Sequence, residues 1–232
     1  MSRRPDRRPV RVARPAAVAL LAALAACAPG APEVTSGSVL RHHADGSRWV
    51  EGLLANGRPT GTWRTWYAGG QPKSVDTYMD GLLEGPSAAW FADGRPRFEG
   101  AYRSGQPDGP WTRWYPGGQE LSRGAFATGT RVGPWTNWYP DGTLQIEGVY
   151  AGTGGDGDFV HYHPNGNKQS SGAMRDGLRD GPWTEWYEDG TRSKQLGFVD
   201  GKLSGPCAFY DRDGRLDQAR SGTYADGKLV GS

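Results

Sequence analysis

Few residues in this 232-residue sequence are spaced for catalysis or for holding an ion. His161 and His163 alternate, so on a strand they would share a face and could hold a metal. No Cys or carboxylate at ligand spacing completes that set, and His163 stands at a position that is Tyr elsewhere in the chain. Asp156-Gly157-Asp158 suggests calcium but lacks the further ligands of a loop site, so it reads as a turn. Cys207 stands where other segments place Trp, which points to packing rather than to nucleophilic chemistry. There is no Gly-x-Ser-x-Gly elbow. No helix follows the glycines, so no phosphate-cradling loop is expected. No acid, base and nucleophile converge, and the sequence predicts a protein that is not an enzyme and takes no cofactor or metal.

The side chains that recur are aromatic. Ten Trp and ten Tyr occur, and nine of the ten Trp fall in two slots of a repeating unit. The first slot holds Trp63, Trp111, Trp135, Phe159 and Trp183; the second holds Trp66, Trp90, Trp114, Trp138, Tyr162, Trp186 and Tyr210. Beside the second slot stand Tyr67, Phe91, Tyr115, Tyr139 and Tyr187. Most of these rings are expected to form the core. Two slots three residues apart point to opposite faces of an extended strand, and a sheet one layer thick cannot hide both. One row is therefore expected to stay partly exposed, where it could stack on sugars, hold choline-like cations or dock a protein. Trp66, Trp90, Trp114, Trp138, Trp186, Tyr115, Tyr139 and Tyr187 are the candidate partner-binding residues.

The elements that position these rings follow from glycine. Gly makes up 37 of 232 residues, and Leu, Ile, Val and Phe together only 34, too few for an ordinary aliphatic core. Gly37, Gly61, Gly85, Gly109, Gly133, Gly157, Gly181 and Gly205 lie 24 residues apart. A second series, Gly46, Gly70, Gly94, Gly118, Gly142, Gly166, Gly190 and Gly214, follows nine residues later. A third runs Gly57, Gly81, Gly105, Gly129, Gly177 and Gly201, broken at Thr153. Such a period marks a repeat architecture. Each unit reads as a β-hairpin. Its first strand has the form Gly-Pro-Trp-Thr-x-Trp-Tyr, as at 109–115. A Pro-Asp-Gly type I turn closed by a glycine bulge follows, as at Tyr139 to Gly142. A second turn, with Asp176-Gly177 and then Asp180-Gly181, leads into the next unit. Mid-strand Gly100, Gly124, Gly148 and Gly172 predict close approach of an indole from the same or the next unit. Leu196 departs from that series. The expected fold is all-β: tandem 24-residue hairpins stacked into an elongated, twisted antiparallel meander sheet, with about eight units over residues 37–232.

The N-terminus is of another kind. Residues 1–15 carry six Arg and are followed by an apolar run, Ala16 to Ala26, too short to cross a bilayer. This is the pattern of a secretory signal. Leu24-Ala25-Ala26-Cys27 resembles the lipobox of bacterial lipoproteins. That resemblance implies a signal at 1–26, lipidation of Cys27, and a flexible tether over 27–36. It also implies anchoring to the lipid bilayer of the cell envelope; in a cell with two membranes, Ala28 after the Cys implies the outer membrane rather than the inner one, facing the periplasm or the cell surface. Residues 1–26 hold six Arg and one Asp, so the remainder carries 21 basic and 24 acidic side chains, a net of −3. An acidic surface of that kind offers no electrostatic footprint for nucleic acid. With Cys27 lipidated, Cys207 has no intrachain partner.

The pattern Gly-x-Trp-x-x-Trp-Tyr-x-x-Gly followed by Gly-x-Tyr-x-x-Gly resembles MORN repeats. It is most similar to the bacterial second-variant repeat of YwqK-type antitoxin proteins. The resemblance covers about residues 37–230. It implies stacked hairpins, contact with proteins or phospholipids, and by name toxin neutralisation; it brings no catalytic residues. With the lipobox and the aromatic row, three functions are expected: an envelope-tethered protein scaffold first, with a glycan or peptidoglycan binder using the aromatic row and an immunity protein against a secreted toxin as alternatives.

Overall fold

The computed structural model describes residues 35–151 and 155–231. The expected signal at 1–26, the Cys27 anchor and residues 28–34 of the tether lie outside the described residues. So do residues 152–154, where the third glycine series breaks. The described residues form nineteen strands and no helix. The first nine are β1 (Gly37–His42), β2 (Arg48–Ala55), β3 (Arg58–Trp66), β4 (Pro72–Met79), β5 (Leu82–Trp90), β6 (Pro96–Arg103), β7 (Gln106–Pro107), β8 (Gly109–Trp114) and β9 (Glu120–Ala127). The next six are β10 (Thr130–Trp138), β11 (Leu144–Tyr150), β12 (Gly157–Tyr162), β13 (Lys168–Arg175), β14 (Leu178–Trp186) and β15 (Arg192–Val199). The last four are β16 (Lys202–Leu203), β17 (Gly205–Phe209), β18 (Gly222–Ala225) and β19 (Lys228–Gly231). Nearly every strand pairs antiparallel with the next; at the short β7 and β16, the following strand pairs back to β6 or β15. The result is the expected all-β meander, an open sheet with β1 and β19 at its ends.

The first turn of each unit closes as its residues dictate. In Tyr139-Pro140-Asp141-Gly142 the Gly142 N–H donates to the Tyr139 carbonyl at 2.9 Å, with Gly142 at φ 88°. The Thr143 N–H donates to the Asp141 carboxylate at 2.8 Å, and these bonds to Thr143 hold that carboxyl below its ordinary range. The predicted turn glycines Gly70, Gly94, Gly118, Gly142, Gly166, Gly190 and Gly214 all make this closing bond. The second turn is a two-residue type I′ turn with both residues at positive φ, as at Asp176 (51°) and Gly177 (75°).

One expectation is corrected. Asp180-Gly181 opens no turn; it lies inside β14. Ala173 faces Asp180 and Gly172 faces Trp183, so Gly181 and Pro182 are two extra residues in one strand. Gly181 takes φ 71° and Pro182 has no N–H to give the ladder, so the pair suits a bulge and weakens a regular strand. The same bulge recurs at Gly133-Pro134, where Val132 faces Ala125 and Thr136 faces Arg123. A 24-residue glycine period marks where these glycines stand but does not distinguish a turn from a bulge.

The core runs across the strands, with one recurring row of side chains at its centre. Counting the unit from Gly61 and its equivalents as position 1, positions 3 and 16 pair within each unit, as in Trp135 with Gly148 and Trp111 with Gly124. The position-3 side chains are buried: Val39, Trp63, Ser87, Trp111, Trp135, Phe159, Trp183 and Cys207. As expected, rings lie over the mid-strand glycines, and each comes from the next unit. An added Cβ at Gly100, Gly124, Gly148 or Gly172 would overlap ring carbons of Trp111, Trp135, Phe159 or Trp183. Gly52 under Trp63 belongs to the same series and was not read from the sequence. Four indoles then donate Nε1–H to a carbonyl ten residues earlier, as Trp135 does to Ala125 at 3.0 Å. Rings at position 18 wedge edge-on between successive indoles: Phe126 lies 5.9 Å from Trp111 and 5.0 Å from Trp135. Burying rings of this size contributes on the order of 4–6 kcal/mol each before entropy costs.

Candidate functional site

Positions 3 and 16 occupy one face, and the other face carries positions 4, 6, 15 and 17. Trp66, Trp90, Trp114, Trp138, Tyr162, Trp186 and Tyr210 at position 6 are all half-buried. They stand against position 15 of the preceding unit. The Arg123 guanidinium lies 5.8 Å from the Trp138 ring centre. Tyr162 Oη donates to Glu147 at 2.5 Å and Tyr210 Oη to Gln195 at 2.9 Å. Burial and the bond to Glu147 push the Tyr162 phenol up to about 12. Cations also cover Trp66, from Arg48 at 5.8 Å, and Trp186, from Lys168 at 6.0 Å. Many indoles on this face thus have one ring surface closed by the neighbouring unit.

The structure brings the five predicted tryptophans of this row together and separates the tyrosines from them. Tyr115, Tyr139 and Tyr187 sit at the head of the first turn. Their hydroxyls donate to the carbonyls of Trp138, Tyr162 and Tyr210 in the next unit, at 3.0, 2.9 and 2.8 Å. His163 and His43 make the same reach through Nε2, to the carbonyls of Trp186 and Trp66. His163 is therefore a Tyr substitute in an inter-unit bond. His161 lies half-buried, and its pKa is lowered by desolvation and by the nearby Arg179 charge. Asp156 accepts the Asp176 backbone N–H, and Cys207 is buried beside Leu196. Among the described residues no group of three His, Cys, Asp or Glu side chains is placed to hold a metal.

The junction between the units of Trp66 and Trp90 departs from the rest on both faces. On the core face Asp76 and Ser87 replace the glycine and the ring. Ser87 Oγ donates to Asp76 Oδ1 at 2.5 Å, Ser74 Oγ donates to Oδ2 at 2.9 Å, and Thr65 and Ser74 hydroxyls share a bond of 2.8 Å. The Asp76 charge, with burial as the larger cause, pushes the Tyr78 and Tyr102 phenols up. On the open face position 15 is Val75, where other units carry Glu51, Glu99, Arg123, Glu147, Ser171 or Gln195. A cleft of about 370 Å³ lies here, lined by Trp66, Trp90, Pro72, Val75, Arg64 and Gln71 among others; the matching cleft of about 320 Å³ beside Trp138 is lined by Glu120 and Arg123 in place of Pro72 and Val75. The sequence reading passed over Val75, although aligning position 15 across units exposes it as the one apolar residue.

With this geometry in hand, residues 59–80 and 131–151 match the family model of the MORN repeat variant. The chain carries MORN-variant repeats, and both matches begin at the strand that leads into the Gly bulge. A search of the curated proteins finds no match to this sequence.

Proposed function

We propose that this chain is a non-enzymatic, lipid-anchored scaffold that holds a protein partner along its open face at the cell envelope. The carrying observation is the half-buried row from Trp66 to Tyr210, which recurs once per unit on the face opposite the ring core. Aromatic side chains that combine apolar surface with a polar edge are enriched where proteins meet. MORN repeats fit such a role, since a stack of hairpins offers a long surface and no convergent acid, base and nucleophile. The anchor rests on Leu24-Ala25-Ala26-Cys27 and the short basic-apolar segment before it. Glycan binding is the weaker reading, because cations close ring surfaces of Trp138 and Trp186 that a sugar would need.

Crosslinking in intact envelopes tests the scaffold. One specific protein should be captured by the wild type and lost when Trp114 and Trp138 are both changed to Ala. Capture of nothing, or equal capture by the double variant, contradicts the proposal. Metabolic labelling with fatty acid should mark the wild type and not Cys27→Ser; equal labelling removes the anchor.

A further inference from the structure

We propose that the Trp66/Trp90 cleft is the anchor of a site for a proline-rich segment in the polyproline II conformation, crossing the strands along the open face. This rests on the scaffold reading above and names the chemistry of its partner.

Period carries the argument first. Two strands per unit at about 4.8 Å place successive position-6 rings about 9.6 Å apart along the sheet. Three residues of a polyproline II helix advance about 9.3 Å. Every third residue of such a segment therefore meets a new gap between rings, and from Trp66 to Trp114 the two rhythms drift apart by under about 1 Å. An α-helix advances 9.6 Å in about 6.4 residues, which is not a whole number of turns, so its anchors would rotate away. A β-strand ligand would need an unpaired edge, and here both edges of β4 and β5 are used by their neighbours. Polyproline II needs no backbone partner.

The cleft supplies the second argument. Beyond the stretch from Trp66 to Trp114, at Trp138, Tyr162 and Tyr210, the position-15 side chains Arg123, Glu147 and Gln195 pack on or bond to the ring that a ligand would meet. Val75 is short and apolar and leaves the gap between Trp66 and Trp90 open. Its walls are two indoles, with Pro72 and Val75 beside them, a lining suited to a saturated prolyl ring. The core-face indoles spend their N–H on carbonyls of the chain; among the described residues Trp66 and Trp90 do not, and each can donate to a ligand carbonyl. Arg64 lines the same cleft and joins no ion pair among the described residues. That free cation favours a carboxylate beside the proline.

Calorimetric titration of the full chain in neutral detergent tests this with four probes. They are twelve-residue peptides repeating Pro-Pro-Glu, Pro-Pro-Lys or Ala-Ala-Glu, and chitohexaose. The Pro-Pro-Glu peptide should bind saturably and at least tenfold tighter than Ala-Ala-Glu. Val75→Glu copies the residue of three other junctions and should weaken it at least tenfold without moving the thermal midpoint. Val75→Gln, which copies the junction of Gln195, replaces that variant if Glu disturbs folding. Arg64→Glu should reverse the preference between the Pro-Pro-Glu and Pro-Pro-Lys peptides. No saturable binding of Pro-Pro-Glu, equal affinity in the Val75 variant, or binding of chitohexaose alone overturns the proposal. A partner crosslinked equally to wild type and Val75→Glu removes the polyproline site and leaves the scaffold reading standing.

Discussion

Gly124 and Trp135 show how single residues carry this fold. The glycine is not there for a turn; its value is the missing Cβ, whose space the Trp135 ring occupies. Gly124→Ala should therefore destabilise by about 1–3 kcal/mol through overpacking. Gly117→Ala is the control, since nothing lies near that position and its φ is ordinary, and it should change little. Denaturant midpoints check both; equal effects would mean the ring is free to yield. The Asp76–Ser87 pair is the natural alternative at this rung, with a hydroxyl-carboxylate bond where the ring and bare backbone stand elsewhere. His161 bears on acid stability. Its folded pKa lies below the ordinary 6.5 because of burial and Arg179. The unfolded state thus takes the proton first, so stability is full above about pH 6.5 and is lost as pH falls from there through the lower folded pKa. His161→Gln should lessen the drop in thermal midpoint between pH 7 and pH 5.5; an unchanged drop would show that another group is responsible.

At the level of the hairpin, the sequence foretold much. Pro-Asp-Gly at 140–142 dictates a tight turn, and Asp176-Gly177 dictates a two-residue one, because Gly and Asp tolerate the backbone angles required. The indole-on-glycine rung was legible from Gly100, Gly124, Gly148 and Gly172, although Gly52 escaped notice. The bulge at Gly181-Pro182 was not legible, since a glycine before a proline suits a turn and a bulge equally. The role of Tyr139 was also hidden. Nothing in its spacing shows that its hydroxyl reaches the Tyr162 carbonyl of the next unit, a bond that ties turn to turn. Phe91 lacks that hydroxyl at the equivalent position, so the fold tolerates its loss at one unit. Tyr139→Phe should cost about 1 kcal/mol, the usual net worth of such a bond. Urea titration reads it directly, and a loss above roughly three times that value would mean the ring itself had moved.

Across the whole molecule, one layer of sheet must provide both a core and a surface. It does so by division: one face buries its rings over bare backbone, while the other keeps a half-covered row whose neighbours are charged. Stability then comes from contacts between adjacent units, as in other repeat proteins. The open face is free to differ from unit to unit, and the Val75 junction shows such a difference. The spacing of glycines sets the hairpins and carries no information on what the open face holds. Trp135 and Trp138 lie three residues apart in β10 on opposite faces, so they separate the two duties within one strand. Equilibrium unfolding of Trp135→Ala and Trp138→Ala is the most direct measurement. The division predicts a loss of about 3–5 kcal/mol for Trp135→Ala and at least ~2 kcal/mol less for Trp138→Ala. Equal losses, or the larger loss at Trp138, would contradict it.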